Sequence, residues 1–108
     1  MVQNQILKKS EDYDLVANIC KILGNVNRIR IITRLEKESC SFGELMKELA
    51  INPKVLNDHL NVLIANKIVV KSYPYGVYTL TPIGHVIKQG MEALNSYITR
   101  VKYVIKEE

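Results

Sequence analysis

The chain has 108 residues, of which 47% are hydrophobic and 24% are charged. This composition is typical of one globular domain and excludes wholesale disorder. No apolar run approaches the roughly 18 residues of a membrane span, and the N-terminus lacks the residue order of a signal peptide. We therefore expect no membrane association and a cytoplasmic location. The net charge of +4 is compatible with a polyanionic partner, although solubility alone would also account for it.

Capping residues and apolar spacing predict two helices in the first third of the chain. Ser10, followed by two acidic residues, is typical of a helix start, and Gly24 is typical of a helix end. The residues before Ser10 could extend this helix or form a loose arm. Asn25 can cap a second helix. Its inward-facing residues at helical spacing are Ile29, Ile32 and Leu35.

Two further helices follow, with a very short connection between them. Ser41 and Glu44 have the spacing of a capping box, and the helix that they begin ends near Ala50. Asn52 and Pro53 are a cap and a favoured first helical residue. The helix that follows has a leucine-rich face opposite a polar face. Two helices separated by two or three residues predict a helix-turn-helix.

Two β-strands and a long helix complete the chain. Residues 68–72 and 77–80 are rich in β-branched residues and tyrosine, and the Tyr-Pro-Tyr-Gly sequence between them suits a type I turn. Thr81 and Pro82 then begin a helix that nothing interrupts until about residue 106. The hairpin therefore lies between the helix-turn-helix and the final helix.

The predicted element order is α-α-α-α-β-β-α, a mainly α fold with a small β-hairpin. This order is that of a winged helix-turn-helix with a long C-terminal dimerisation helix. We expect a single DNA-binding domain over residues 1–108. Its parts are an N-terminal arm and helix (1–24), the winged-helix core (25–81) and the C-terminal dimerisation helix (82–108).

Three stretches of the chain resemble the ArsR-like group of winged-helix transcription regulators. Residues 23–32 (LGNVNRIRII) are similar to the L-G-N-P-x-R-L-R-I-L opening of that family, and residues 41–45 (SFGEL) to its S-V-G-E-L. Residues 59–63 (HLNVL) are similar to the R-H-L-x-V-L of its recognition helix, with Asp58 in place of the arginine. Residues 78–84 (YTLTPIG) are closer to HxlR-like regulators. The resemblance implies a transcriptional regulator that binds double-stranded DNA.

By this resemblance, the helix that begins at Pro53 enters the major groove, and the wing and the second helix add contacts to the backbone. The candidate DNA-binding residues are Lys54, Val55, Asn57, Asp58, His59 and Asn61 on that helix, Arg28, Arg30 and Arg34 on the second helix, and Lys71, Tyr73 and Tyr75 in the wing.

Several of these residues have a structural alternative. His59 either packs against the domain or contacts phosphate. The three arginines either contact phosphates or form salt bridges with nearby glutamates. Tyr73 and Tyr75 either touch the DNA or pack against the body of the domain. Asp58 would repel phosphates if it pointed into the groove.

The two cysteines, Cys20 and Cys40, leave three alternatives open: buried free thiols, a disulfide, or a redox switch. Metal sensing is well known in the ArsR-like group, but Cys40 lacks the second cysteine of one sensor class. His85 and Glu92 do not complete the ligand set of another class. No phosphate-binding loop or catalytic triad pattern occurs. We therefore expect no metal, no cofactor and no enzymatic activity, and we identify no small-molecule effector.

The last helix carries apolar residues at heptad spacing for three repeats. This stripe is longer than the small body of the domain can cover, so a monomer would expose much of it to water. We expect a homodimer instead. The predicted interface residues are Ile83, Ile87, Met91, Leu94, Tyr97, Ile98, Val101, Val104 and Ile105.

The sequence thus predicts a homodimeric, sequence-specific DNA-binding regulator that represses transcription by occupying a promoter. One alternative is an architectural, chromatin-like DNA-binding protein of low specificity, which the small number of base-reading residues permits. Another is a winged-helix module that binds proteins and has lost DNA binding, which Asp58 favours.

Overall fold

Five helices and three short strands form the fold in the computed structural model, which describes the backbone of residues 2–107 and the side chains of residues 13–105. The elements are α1 (Val2–Leu23), α2 (Val26–Lys37), β1 (Cys40–Ser41), α3 (Phe42–Leu49), α4 (Pro53–Ala65), β2 (Val69–Ser72), β3 (Val77–Leu80) and α5 (Pro82–Glu107). This order confirms the predicted winged helix-turn-helix, in which α3 and α4 are the helix pair and β2 and β3 are the wing.

Side-chain caps begin four of the helices where the sequence predicts them. In the capping box of α3, the Glu44 backbone N–H donates to Ser41 Oγ at 3.2 Å, and the Ser41 backbone N–H donates to the Glu44 carboxylate at 3.1 Å. Caps of this kind contribute about 1 kcal/mol each to stability. The capping residues are Asn25 for α2, Ser41 for α3, Asn52 for α4 and Thr81 for α5.

The core lies where α2, α3 and α4 meet the sheet, and it consists almost entirely of branched aliphatic side chains. Burying one such side chain contributes about 1.5–3 kcal/mol, so these residues supply most of the energy that holds the helices together. The fully buried members are Ile31, Ile32, Leu45, Leu56, Leu60, Leu63, Ile68 and Val69. Ile29, one of the three inward residues predicted on α2, is only half-buried, and Ile31 takes its place in the core.

The turn between α3 and α4 contains a non-glycine residue in the left-handed region. Ala50 ends α3 with φ 52 and ψ 46. Left-handed backbone costs an L-residue roughly 1–2 kcal/mol, and the next residue, Ile51, is buried. Burial of Ile51 and the cap at Asn52 offset this cost, so the turn keeps its shape although Ala50 replaces the usual glycine.

A third strand, which the sequence does not indicate, extends the predicted hairpin into a sheet. β1 pairs antiparallel with β3, where Cys40 lies opposite Tyr78. β2 pairs with the other edge of β3, so the strand order is β1-β3-β2. Cys40 and Tyr78 are both buried, so this pairing closes one side of the core. The sequence does not indicate β1, because two residues are too few to show an alternating pattern and their partner strand lies much later in the chain.

Two local features differ from the simplest prediction. α1 begins at Val2, so Ser10 lies inside the helix, and extension of the first helix by the residues before Ser10 is the alternative observed. The residues before Ser10 are mostly good helix formers, and their propensity outweighs the local start signal. The hydrogen bond that closes the wing turn is not the bond from Gly76 to Tyr73 that is typical of a type I turn, because the Gly76 N–H donates to the carbonyl of Ser72 at 2.9 Å. Gly76 has φ 64, which favours glycine at this position.

α5 is packed on the body only over its first three turns. Gly84, Ile87 and Lys88 are buried, and Met91 is half-buried against the core. Every described side chain of α5 beyond Met91 is exposed. At 1.5 Å per residue, this exposed part extends on the order of 20 Å from the body. The prediction that the last helix outgrows the domain is therefore confirmed.

Candidate nucleic-acid interface

The outer face of α4 carries polar side chains, and its inner face is anchored by leucines. Leu56, Leu60 and Leu63 are fully buried. On the other side, Lys54, Val55, Asn57, Asp58 and Asn61 are exposed. A helix anchored in this way can enter the major groove, where Asn side chains can pair with adenine and lysine can meet phosphate. The exposed positions are those that the sequence predicts for this helix, apart from His59.

His59 lies on the inner side of α4, with 9% of its surface exposed. Its Nδ1 accepts a hydrogen bond from Arg28 Nε at 3.2 Å. Burial, and then the positive charge of Arg28, lower the pKa of the His59 imidazole below its ordinary value. The neutral ring therefore carries its proton on Nε2 and offers Nδ1 as the acceptor. Of the two alternatives for His59, packing is the one observed.

The three arginines of α2 have partners within the protein. Arg28 also donates to the carbonyl of Ile22 at 3.1 Å. Arg30 is exposed and donates to the carbonyl of Leu49 at 2.6 Å, at the C-terminal end of α3. A cation is favourable at that end of a helix. The structure therefore gives no support to phosphate contact by Arg28, whereas Arg30 combines its internal bond with an exposed guanidinium.

Arg34 forms the salt bridges that the sequence offered as the alternative to phosphate contact. Its guanidinium donates to the carboxylate of Glu48 and lies 3.8 Å from that of Glu38. The hydrogen bond raises the pKa of Arg34 and lowers the pKa of Glu48. The pair joins α2 to α3. Of the two alternatives for Arg34, the salt bridge is the one that the structure shows, and Glu48 is the partner that the sequence did not indicate.

The wing presents two aromatic side chains to solvent. Tyr73 and Tyr75 are 80% and 83% exposed, so neither packs against the body of the domain. The ammonium of Lys71, which is half-buried, lies 5.5 Å from the ring centroids of both Tyr73 and Tyr78. Cation–π contacts of this kind are worth about 0.5–1 kcal/mol at exposed sites. Lys71 therefore supports the base of the wing, and the tyrosines form its tip.

Both cysteines are free thiols in the structure. Cys20 is exposed, whereas Cys40 is buried in the core. Burial raises the pKa of the Cys40 thiol, which disfavours the reactive thiolate. The redox-switch alternative therefore has no support at Cys40, because burial disfavours the thiolate that such a switch would need. The disulfide alternative is not formed in this structure.

Lys88 is a buried charged residue that the sequence analysis missed. Only 4% of its surface is exposed. Its ammonium donates to Glu36 on α2 at 3.3 Å and to Glu92 one turn further along α5. These hydrogen bonds raise the pKa of Lys88 despite its burial. One signal in the sequence could have indicated its burial, because Lys88 directly follows Ile87 in the stretch of α5 that packs on the body.

Exposed apolar residues cover one side of α1 and α5. Between the two helices runs an apolar groove of about 500 Å³, whose walls include Ile19, Leu23, Val86 and Leu94. Ile87 also borders it but is 9% exposed and belongs to the core of its own protomer, which leaves little of its side chain for a dimer interface. Met91 is partly taken up by the same core. The other predicted interface residues are exposed: Ile83, Leu94, Tyr97, Ile98, Val101, Val104 and Ile105.

Among the residues that the structure describes, no three His, Cys, Asp or Glu side chains lie close enough together to hold a metal ion. No helix in that part of the chain combines the length and the hydrophobicity needed to cross a lipid bilayer.

The sequence of residues 25–70 matches the family described as "Bacterial regulatory protein, arsR family". This part of the chain is thus similar to an ArsR-family helix-turn-helix domain. The matched range runs from the cap of α2 to β2, and it contains the whole of α3 and α4. No curated protein sequence matches the chain.

Solved structures extend the similarity beyond residues 25–70. The transcriptional repressor BigR from Xylella fastidiosa has a TM-score of 0.70 and 25% identity, over 86% of this chain and 92% of BigR. The transcriptional regulator HlyU from Vibrio vulnificus has a TM-score of 0.65 and 26% identity, over 84% of this chain and 96% of HlyU. Quinone-bound YodB from B. subtilis shares the fold, with a TM-score of 0.74 and 23% identity, over 81% of this chain and 98% of YodB. The chain is a DNA-binding transcriptional regulator and not an enzyme.

Proposed function

We propose that the protein is a homodimeric repressor that binds double-stranded DNA sequence-specifically and blocks a promoter. The observation that carries this proposal is the arrangement of α4, whose leucines are buried while Asn57 and Asn61 project into solvent. Two amides one turn apart face one side of a helix. Each can pair with adenine in the major groove.

The wing supports contact with the DNA beside the groove. Tyr73 and Tyr75 are costly residues to leave exposed unless they meet a partner. A tyrosine has an apolar ring for sugar or base edges and a hydroxyl for phosphate. We assign these two side chains to the DNA backbone or the minor groove next to the site of α4, and Lys54 to a phosphate.

The proposed dimer brings two copies of α4 to one operator. Two-fold related recognition helices must lie about 34 Å apart to enter successive major grooves. The free part of α5 is the element long enough to set such a distance. Its exposed stripe and the apolar side chains of α1, such as Leu15 and Val16, offer the surface that a second copy would bury. Repression is favoured over activation by the similarity to the repressor BigR.

Competition binding on DNA tests the proposed role of α4 in base recognition. We expect Lys54→Ala to weaken binding to every sequence, because a phosphate contact carries no sequence information. Asn57→Ala and Asn61→Ala should change the ranking of a panel of sites taken from a footprint upstream of the gene. Asn95→Ala, an exposed asparagine on α5, is the matched control and should leave affinity and ranking unchanged.

The same assay separates the proposed function from its alternatives. An architectural protein would bind random DNA nearly as well as the footprinted site, with a strong salt dependence. A protein-interaction module would not bind DNA even at low salt. Unchanged ranking in both asparagine variants would show that α4 does not read bases.

Sedimentation tests the dimer. Leu94→Asp with Val101→Asp places two charges in the exposed stripe of α5 and should give a monomer that binds DNA far more weakly. Gln89→Asp with Ser96→Asp adds the same charge on the opposite, exposed side of the helix and should leave the dimer intact. A wild-type protein that sediments as a monomer at tens of micromolar would refute the dimer.

A further inference from the structure

Arg28 joins three helices through one side chain. It belongs to α2, its Nε donates to His59 Nδ1 on α4 at 3.2 Å, and one of its terminal nitrogens donates to the carbonyl of Ile22, in the last turn of α1, at 3.1 Å. An arginine offers donors in a rigid planar fork, so it can hold two acceptors at a fixed angle. The position of His59 is thereby tied to the end of α1.

α4 needs such a contact because the rest of its buried face is not directional. Leu56, Leu60 and Leu63 are fully buried, and apolar burial depends on area and only weakly on orientation. Within the described part of the chain, His59 is the one buried polar side chain of α4. A hydrogen bond at His59 restricts rotation of the helix about its axis, because its distance and angle are both limited.

A small rotation of α4 would matter for base recognition. Side chains lie about 5–6 Å from a helix axis, so a rotation of about 10° moves them by about 1 Å. Hydrogen bonds to base edges span only about 2.7–3.2 Å, and such a shift would break or exchange them. Asn57 and Asn61 lie two residues before and after His59, so their direction follows from the orientation that His59 takes.

We propose that Arg28 and His59 are a positioning pair that sets the rotation of α4 toward the DNA and thereby its sequence preference. The inference rests on the proposed function, because it assigns to α4 the role of reading bases. Arg28 acts here through His59 and does not itself contact the DNA. This assignment replaces the phosphate contact that the sequence suggested for both residues.

Two quantities, measured together, test the positioning pair: the ranking of operator sites by affinity and the salt dependence of DNA binding. Arg28→Lys keeps the positive charge but loses the planar fork, and His59→Leu loses the acceptor. Discrimination against a single mismatched base pair is typically about 5-fold to 150-fold in specific complexes, and both variants should reduce it several-fold. Their salt slope should stay that of the wild type, whereas loss of a phosphate contact would reduce it by about 1.

Two further variants control for a merely structural effect. In His59→Asn, the amide oxygen can take the place of Nδ1, so this variant should restore the wild-type ranking. Arg34→Met removes another arginine of α2, whose partners lie on α3 and at the end of α2. It should lower stability without changing the ranking. The double variant Arg28→Lys with His59→Leu should lose no more discrimination than either single variant, because all three break the same hydrogen bond.

The outcomes separate this inference from the proposed function. If the wild type ranks sites and Arg28→Lys ranks them identically, the positioning pair is refuted while the proposed function stands. A lower salt slope in Arg28→Met than in Arg28→Lys would show that Arg28 contacts a phosphate, and this result would also refute the positioning pair. A wild type that binds no DNA, or ranks no sites, would overturn both.

Discussion

Gly84 tests how tightly α5 is seated on the body of the domain. A Cβ at this position would lie 2.4 Å from Leu80 Cδ1 and 2.6 Å from the carbonyl oxygen of Ile68. The leucine tip can move, but the Ile68 carbonyl cannot move freely, because it accepts hydrogen bonds from the backbone and hydroxyl of Thr81, each at 3.0 Å. Gly84 has no positive φ, so the requirement for glycine is one of space alone.

The expected cost of Gly84→Ala follows from these contacts. Overpacking a rigid site costs about 1–3 kcal/mol, and the backbone contact at Ile68 places this site at the upper end. The better helix propensity of alanine returns about 1 kcal/mol. The net loss of about 2 kcal/mol should lower Tm by roughly 8–16 °C for a domain of this size. Urea and thermal unfolding followed by circular dichroism measure both quantities.

Gly90→Ala is the matched control in the same helix. No atom lies within 4 Å of a Cβ at this position, so helix propensity alone should act and stability should rise by up to about 1 kcal/mol. Both variants are compared at one protomer concentration, because dimerisation would make stability depend on concentration. Equal stability of the two variants would refute the close packing of α5 at Gly84.

Three other results follow from the charges and burial described above. Burial and the guanidinium of Arg28 lower the pKa of His59 below its unfolded value of about 6.5. The unfolded chain therefore binds the proton more readily, and the free energy of unfolding should fall as the pH drops below about 6.5. Urea titrations at several pH values measure this fall, which should be missing in His59→Asn. Lys88→Met should change stability by less than about 1.5 kcal/mol, because its carboxylate partners reach solvent. Replacing both Glu36 and Glu92 by glutamine should lower the free energy of unfolding by on the order of 3 kcal/mol, because it leaves a buried ammonium without an opposite charge. Equal losses of stability in Lys88→Met and in this double variant would refute the prediction. Iodoacetamide should alkylate the exposed Cys20 well before the buried Cys40, and equal rates in peptide mass spectrometry would contradict the burial of Cys40.

The features that could be predicted from the sequence are those written in adjacent residues. The caps at Asn25, Ser41 and Asn52 are local chemistry, and each begins a helix where it was expected. The element order followed from these caps and from apolar spacing. β1 was missed because it exists only through its pairing with β3. The sequence left the start of α1 open, because a good local signal at Ser10 does not show whether the residues before it continue the helix.

Individual side-chain roles were harder to predict than the elements. Arg28, Arg30 and Arg34 are equivalent in the sequence as basic residues of one helix. In the structure, however, the acceptors of Arg28 lie on α1 and α4, whereas Arg30 and Arg34 both donate to α3. His59 and Asn61 lie only two residues apart on α4, yet one is buried and the other exposed. Such differences depend on which residues of other elements pack against each side chain, and the sequence of a single helix does not contain that information.

The polar contacts of α2 explain how a small aliphatic core can hold its helices in one arrangement. Leucine and isoleucine burial supplies most of the stability, but it tolerates rolling and sliding of one helix on another. α2 adds directional contacts to its neighbours, among them Arg28 to α4, Arg34 to α3, and Glu36 to Lys88 of α5. The helix proposed to read DNA and the helix proposed to form the dimer are therefore both oriented against α2. Because the spacing of two recognition helices depends on both orientations, substitutions of Arg28 and Glu36 should affect DNA recognition more than their distance from the DNA suggests.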